Sequence, residues 1–393
     1  MLLLATKVWE QRKLGEMITE RKILRFDSRE FPLSSFIKNE GVVPKSSRYD
    51  RSFLVKSNSK KYKETRLGDF IYSSNNLDTG SIGLNNYGNA VISPVYSIFT
   101  SKDTENLETS FINLLFKKNF YKNKMLRFRQ GVTYGQWKIK ENDFLNLKVY
   151  ISNSVEIEKI IAIFSKISQC ITLYAKKSSC LDSCIAYFIR ILYDDPQFFK
   201  QKSVQNSVIK SFKLDDILIK NNAKNKDLSV LNVESISNKK GFISQKEQFD
   251  NYQVASKDLS NYYVIHPKDF AYNPSRINVG SIAYKSPNDV KGIVSPLYVS
   301  FKCKNDIVLD KYLWHWFKST NFEHQRVRLS EGGVRDILSF NQLSKMKISI
   351  PSFEIQRQTI NLLEILIQYK EEVDLKLNNL KLIKNTLLQS MFL

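Results

Sequence analysis

Two long stretches of the chain place apolar residues three and four positions apart. The first series is Ile157, Ile160, Phe164, Ile167, Ile171, Tyr174, Ser178, Leu181, Ile185, Phe188 and Leu192, where only Ser178 is polar. The second is Ile355, Thr359, Leu362, Leu366, Tyr369, Val373, Lys376, Leu380, Ile383 and Leu387, broken by Thr359 and Lys376. This is the a/d spacing of a coiled-coil seam. Each stretch therefore predicts a helix of roughly 40 residues, about 60 Å long at the usual rise. Asp194-Asp195-Pro196 stops the first helix, because the residue before proline disfavours α geometry. Pro351-Ser352 opens the second. A helix that long with a single apolar seam needs a partner, and each seam offers itself to the other. The expected helix and partner interface is Ile157, Phe164, Ile171, Leu181 and Phe188, facing Leu362, Leu366, Val373, Leu380 and Leu387.

Before each helix lies a region of about 150 residues with short β-type runs and many Gly, Asn and Ser breaks. The two regions repeat one another at an offset of about 200 residues. Lys13 to Ile18 returns as Lys213 to Leu218, and Asp69-Phe70-Ile71-Tyr72 as Asp269-Phe270-Ala271-Tyr272. Gly80-Ser81-Ile82 returns as Gly280-Ser281-Ile282, and Ser93-Pro94-Val95-Tyr96 as Ser295-Pro296-Leu297-Tyr298. Gly131-Val132 matches Gly333-Val334. Shared order at a near-constant offset identifies a tandem duplication. In each copy Ser-Pro-x-Tyr reads as a turn entering a strand, within Val91 to Phe99 and Ile293 to Phe301. A short helix is expected over Asp310 to Lys318. The predicted fold class is α+β: two repeated α/β globular units joined by two long helices packed as an antiparallel coiled coil, with pseudo-two-fold symmetry. The expected divisions are 1–152, 153–200, 201–350 and 351–393.

Charge sharpens the picture. The formal net charge is +21, and it is not spread evenly. Residues 1–152 carry net +11 and residues 201–350 net +9, while the helical segments 153–200 and 351–393 carry +1 and 0. Two basic units beside neutral helices suit a polyanion, and nucleic acid fits better than an acidic membrane because no basic amphipathic helix is present. Arg can read guanine, and Asn or Gln can read adenine, in the major groove. On that chemistry the candidate DNA-binding residues are Lys61, Tyr62, Asn75, Arg129 and Gln136 in the first unit. In the second they are Lys240, Asn273, Arg276, Arg328 and Arg335. For any single one of them, a solvated surface charge is the competing reading.

Catalytic signals are missing. The sequence contains no G-x-x-x-x-G-K-[ST] phosphate loop, G-x-S-x-G elbow or H-E-x-x-H pair. Asp194-Asp195-Pro196-Gln197-Phe198 has some likeness to an amino-methyltransferase loop, but it lacks the second proline and a glycine-rich cofactor strand, and a helix stop accounts for it. Cys170, Cys180, Cys184 and Cys303 form no C-x-x-C pair, so reduced thiols are expected and no metal. The apolar runs fall well short of the ~20 residues of a spanning helix, and the opening residues lack a secretory pattern. A cytoplasmic protein with no membrane partner is expected.

These features resemble the specificity (S) subunits of type I DNA restriction–modification systems. Trp9 to Glu16 resembles the start of that family's target-recognition domain. Leu33-Ser34-Ser35 before Gly41-Val42-Val43, and Leu228-Ser229-Val230 before Lys240 to Ile243, resemble its strand-turn-strand. Ile350-Pro351 through Gln358 is similar to its junction into the helix, with Ile355 interrupting the Glu-Gln pair. Leu380 to Lys384 and Leu387 to Phe392 are similar to its C-terminus. The first junction, Ile151 to Glu156, departs from the pattern by lacking the proline.

The resemblance implies a non-catalytic chain in which each target-recognition domain reads one half of a split DNA site and the helices set the gap. It implies two copies of a modification subunit as partners, with S-adenosylmethionine bound there and not on this chain, and a restriction subunit that can join. Competing readings are a DNA-binding regulator or architectural protein without an enzyme partner, a self-sufficient methyltransferase or nuclease, and a scaffold whose basic units hold acidic proteins.

Overall fold

The computed structural model describes residues 9–38, 40–45, 60–77, 81–102, 106–132, 136–195, 209–238, 240–245, 258–330 and 337–390. The chain separates into two compact units. One comprises Met1–Ala175 with Leu375–Leu393, and the other Lys176–Asp374. Each unit thus takes one globular region together with part of both long helices, a grouping that chain order alone does not suggest.

The duplication reappears as repeated topology. In the first unit a four-stranded sheet joins Ile18–Glu20, Ser97–Ser101, Phe70–Tyr72 and Ile82–Leu84 in that order. The second unit builds the same sheet from Leu218–Lys220, Val299–Cys303, Phe270–Tyr272 and Ile282–Tyr284. The paired residues correspond too: Phe99 lies opposite Phe70, and Phe301 opposite Phe270. The Ser-Pro-x-Tyr segments are turns between strands, closed by Tyr96 N–H to Ser93 O and Tyr298 N–H to Ser295 O. Val91 to Phe99 and Ile293 to Phe301 therefore each hold the end of one strand and the start of the next.

A second sheet is built differently in the two copies. In the second unit it is continuous, ordered Gly241–Ser244, Val233–Ser237, Gly292–Val294, Tyr263–Ile265. In the first, a three-stranded sheet and the separate hairpin Ser34–Ile37 with Gly41–Pro44 meet through a lone bridge between Leu33 and Val91. The strand before Gly241 is Val233–Ser237 and not the Leu228 to Val230 segment expected from sequence. Leu228 instead turns the chain at φ 53°, and Val230 is buried beside Tyr262 and Ile293.

Aromatic residues fill the cores. Phe144 lies among Phe99 at 4.8 Å, Tyr72 at 5.0 Å and Phe116 at 5.6 Å in the first unit. In the second, Phe270 stacks on Phe301 at 5.2 Å, and Trp316 meets Phe322 at 5.3 Å. Burying each such ring contributes on the order of 2–3 kcal/mol.

A closing strand leads straight into each long helix. Lys148–Ile151 pairs antiparallel with Glu10–Lys13, and Lys347–Ile350 with Lys210–Lys213. The helices run Ser154–Asp194 and Phe353–Ser390. The first stops at the expected place, and the Asp194 carboxylate accepts from Asn321 N–H at 2.8 Å and from the Thr320 hydroxyl. It therefore caps the N-terminus of helix Thr320–Leu329, a structural role for the Asp-Asp-Pro segment.

Within each unit the two helices pack antiparallel. In the first, Ile157, Ile160 and Phe164 are buried with Leu387 and Leu388 against the same core, and Lys384 Nζ donates to Ser168 Oγ at 2.8 Å. In the second, Ile189, Leu192 and Tyr193 share a core with Leu363. There Ser178 Oγ donates to Asp374 Oδ1 at 2.6 Å, and Lys370 reaches Asp374 at 2.6 Å and Asp182 at 3.3 Å. One series of partners rises as the other falls, as antiparallel packing requires. The first helix turns inward the residues its apolar series names, with Ile171, Leu181 and Phe188 half-buried.

On the second helix the seam needs correction. Leu362 is 37% exposed, and Leu363 is fully buried in its place. Tyr369, Lys376 and Ile383 likewise face out, whereas Lys370, Leu377 and Lys384 are the less exposed neighbours. The seam carries two lysines held by partners on the first helix, so counting only apolar residues selects the wrong neighbour. Leu366, Leu380 and Leu387 are half-buried and Val373 is buried.

Candidate nucleic-acid interface

Three of the first unit's candidate positions are drawn together by one hairpin. Strands Gln130–Val132 and Gln136–Lys138 pair antiparallel, with Val132 opposite Gln136. The Trp137 N–H donates to Asn75 Oδ1 at 2.6 Å, and Arg129 donates to the Ser74 carbonyl at 3.1 Å. The Arg129 guanidinium lies 5.3 Å from the centre of the Trp137 ring. Trp137 is 46% exposed and neighbouring Phe128 is 39% exposed. Asn75, Arg129 and the Gln136 backbone thus share one corner, presenting a guanidinium, an amide and open aromatic faces. Such a set can contact phosphate and stack or hydrogen-bond a base edge.

The other two positions part company. Lys61 is exposed, its ammonium 5.5 Å from the Phe26 ring. Tyr62, expected at the DNA, is buried with Phe31 and Val91, because its strand pairs with Leu24–Arg25 on one side and Ala90–Ile92 on the other. Tyr62 serves as a core residue and presents no free ring face for stacking.

Around Tyr62 lies a basic surface that sequence reasoning missed. Glu64 is fully buried and receives Arg66 Nε at 2.7 Å, Arg21 Nη1 at 3.6 Å and Arg25 Nε. Arg21 is also bound bidentately by Asp69, at 2.8 and 3.0 Å. Burial pushes the Glu64 carboxyl up, but hydrogen bonds from Arg25 and Arg66 more than offset it and leave it below its ordinary value. The guanidiniums of Arg25 and Arg66 lie over Phe31, at 4.7 and 5.8 Å, with their side chains 44% and 48% exposed. The four basic residues between Arg21 and Arg29, interleaved with Phe26 and Phe31, were the available signal.

In the second unit Lys240 is exposed at the turn of hairpin Val233–Ser237 with Gly241–Ser244. Asn273 and Arg276 lie on one turn: Arg276 N–H donates to Asn273 O at 3.1 Å, and Asn273 Oδ1 accepts from Ser275 N–H at 3.0 Å. Arg276 is exposed there. Arg328 is exposed on helix Thr320–Leu329, whereas Arg326 on the same helix turns inward and is held bidentately by Glu323 at 2.7 and 2.8 Å. Arg335 lies outside the described residues.

Among the described residues no group of His, Cys, Asp and Glu is arranged to hold a metal ion. Cys170 and Cys180 are exposed, Cys184 is half-buried and Cys303 is buried. Burial pushes the Cys303 thiol up to about 12, which disfavours its thiolate. Among the described residues no helix is long and apolar enough to cross a membrane.

Residues 206–382 match the family described as type I restriction modification DNA specificity domain. No curated protein gives a sequence match. Among solved structures, the chain is similar to the crystal structure of a type I restriction-modification system S subunit from M. genitalium. The two are 14% identical with a TM-score of 0.62, over 100% of this chain and 98% of that one. A chain from a study of complex assembly and conformational transition of the type I R-M system is also similar. It is 14% identical with a TM-score of 0.52, over 98% of this chain and 97% of that one. The likeness in fold extends over the whole length, including both long helices.

Proposed function

We propose that this chain, whose residues 206–382 match the type I restriction modification DNA specificity domain and whose fold is similar to that of solved S subunits, chooses the DNA sequence on which such a system acts. The observation that carries this reading is the repeated architecture: two basic units of one topology, each closed by an antiparallel pair of helix segments. Each unit reads one half of a bipartite, asymmetric site. Phosphate contacts from lysine and arginine set its register, and the corner around Asn75, Arg129 and Trp137, with the Asn273–Arg276 turn and Arg328 in the second unit, supplies base contacts. The helices fix the gap between half-sites.

Chemistry falls to partners. Methylating a base requires extruding it into a catalytic pocket. In this reading two modification subunits dock on the helices and carry S-adenosylmethionine, and a restriction subunit joins them. The faces turned away from the helix pair, with Leu173 65% exposed and Leu382 65% exposed, offer apolar ground for that docking.

The test is selection from random duplex DNA by the chain, alone and with its modification subunit. The expected result is two short fixed blocks separated by a constant unspecified gap. Salt-sensitive retention with no enriched sequence, partner included, defeats the proposal and favours an architectural binder.

A further inference from the structure

The first unit contains a cavity of about 450 Å³ whose lining is unusually basic. It opens between the turn of hairpin Ser34–Ile37 with Gly41–Pro44, strand Ile82–Leu84, the residues following helix Leu107–Leu115, and the second long helix. Lys38, Lys117, Lys122 and Lys384 reach it, against a single carboxylate, Glu40. Phe36, Ile82, Leu84 and Phe116 supply apolar wall, and Asn86 and Asn113 supply amides. The volume lies within the range of small-molecule pockets, roughly 300–1,000 Å³.

Among the described residues these lysines have no paired carboxylate. Among the described residues no salt bridge reaches any of the four, and the one polar contact of Lys384 Nζ is the neutral Ser168 hydroxyl at 2.8 Å. Desolvation, and then repulsion from Lys384, hold Lys117 below the ordinary lysine range; desolvation does the same to Lys384. Like charges gathered in a partly desolvated concavity are unfavourable until an anion enters.

The duplication supplies an internal control. Phe116-Lys117 returns as Phe317-Lys318. Lys318 is desolvated too, but Glu364 counters that effect, and its ammonium sits 4.5 Å from the Trp314 ring. Glu364 also binds Lys311 and accepts His315 Nε2 at 3.0 Å. The second unit thus brings its own counter-charge to this position, whereas among the described residues no carboxylate pairs with Lys117 in the first.

We infer that the first unit holds a phosphate-binding pocket, in which Lys117 and Lys384, with Lys38 and Lys122 at its walls, grip a phosphate group while the apolar wall accommodates the body that carries it. Lysine suits this as a compact point charge with three donors. The phosphate comes either from a free nucleotide-sized compound or from a DNA backbone. The inference stands independently of sequence reading.

The test uses the full-length chain, as wild type, as the double variant Lys117→Gln with Lys384→Gln, and as the control Lys318→Gln. Each is titrated by calorimetry with inorganic phosphate, adenosine 5′-monophosphate and a random-sequence duplex, with melting followed in parallel. Removing two mutually repelling charges leaves the double variant at least as stable without ligand, so a lost response reports binding and not unfolding. A free phosphate compound as ligand is shown by stabilisation of wild type and Lys318→Gln, with affinity about tenfold or more lower in the double variant. A fall of that size for the duplex alone, without free phosphate binding, assigns the pocket to the DNA backbone. Unchanged affinities for all three probes, or an equal fall in Lys318→Gln, overturn the inference. The two free-phosphate probes read the pocket even where no DNA sequence is selected.

Discussion

The two units solve the same problem, a carboxylate inside a β-sheet core, in opposite ways. In the first, Glu64 is surrounded by Arg21, Arg25 and Arg66, and the last two keep nearly half of their side chains open to water. In the second, Glu234 is matched by one cation, Lys285, at 2.6 and 2.8 Å, and Lys285 is 1% exposed with its ammonium 5.1 Å from the Phe242 ring. By repeat position Lys285 corresponds to Asn85, a buried amide bonded to Thr65 and Gly88. One backbone plan therefore tolerates different charge arrangements, provided each buried charge is matched. The consequence reaches the surface: the first unit turns guanidiniums outward over Phe31, while the second hides its cation. Under the proposed function, this difference in surface chemistry is what reading two different half-sites requires.

The largest expected effect tests redundancy. Lys285→Ala leaves Glu234 buried with no cation among the described residues and should cost about 3–5 kcal/mol. Arg66→Ala leaves Arg21 and Arg25 on Glu64 and should cost below about 1 kcal/mol. Urea denaturation of the full chain reads both, and equal losses would dissolve the contrast.

A second comparison concerns the hairpin turns. Gly41 has φ +83°, and a Cβ there would come within 2.5 Å of the Leu84 carbonyl oxygen. Gly241 has φ +71°, but its nearest neighbour would be Ala283 Cβ at 3.8 Å. Both alanine variants meet the left-handed penalty, about 1–2 kcal/mol, and Gly41→Ala adds a backbone clash of roughly 1–3 kcal/mol. Melting temperatures should fall further for Gly41→Ala, and the reverse order would show that the first hairpin yields easily.

Acid should weaken the second unit through Glu364. The hydrogen bond from His315, with Lys311 beside it, holds Glu364 down at about 2 from an ordinary 4.5. A depressed carboxylate contributes its stability above the unfolded value and loses it as pH falls from about 4.5 toward 2. With 37% of the side chain open to solvent, the loss is discounted to roughly 1–2 kcal/mol. Amide exchange across the second unit should loosen over that window in wild type and not in Glu364→Gln. Loosening that survives the substitution would place the acid sensitivity elsewhere.

The smallest effect is the most specific. Arg129→Ala and Arg328→Ala should each weaken one half-site about tenfold and leave the other unchanged, measured on duplexes scrambled in either half. Weakening of both half-sites by either variant would mean the units do not read independently.

The architecture was legible because its signals are local and repeated. Short matches from Lys13 to Val132 recur in order, and the same strands and registers recur with them. The first helical seam was legible because nearly all of it is apolar. The second was displaced by one residue at Leu362, Tyr369, Lys376 and Ile383, because Lys370 and Lys384 occupy inward positions made tolerable by Asp182, Asp374 and Ser168. Nothing in the second helix's own residues announces the partners on the first.

The candidate site divides along the same line. Exposed positions such as Lys240, Arg276 and Arg328 follow from charge and composition, but Tyr62 lies inside because two strands from elsewhere in the chain flank it. Asn75 and Arg129 share a corner because a hairpin beginning beyond residue 129 folds back onto the turn at Ser74. By itself the sequence determined what repeats, what is helical and where positive charge accumulates, since periodicity and composition are properties of neighbouring residues. Which side chains converge, which arginines are neutralised and which lysines face a cavity were decided only by the tertiary structure, because those depend on partners far away in the chain.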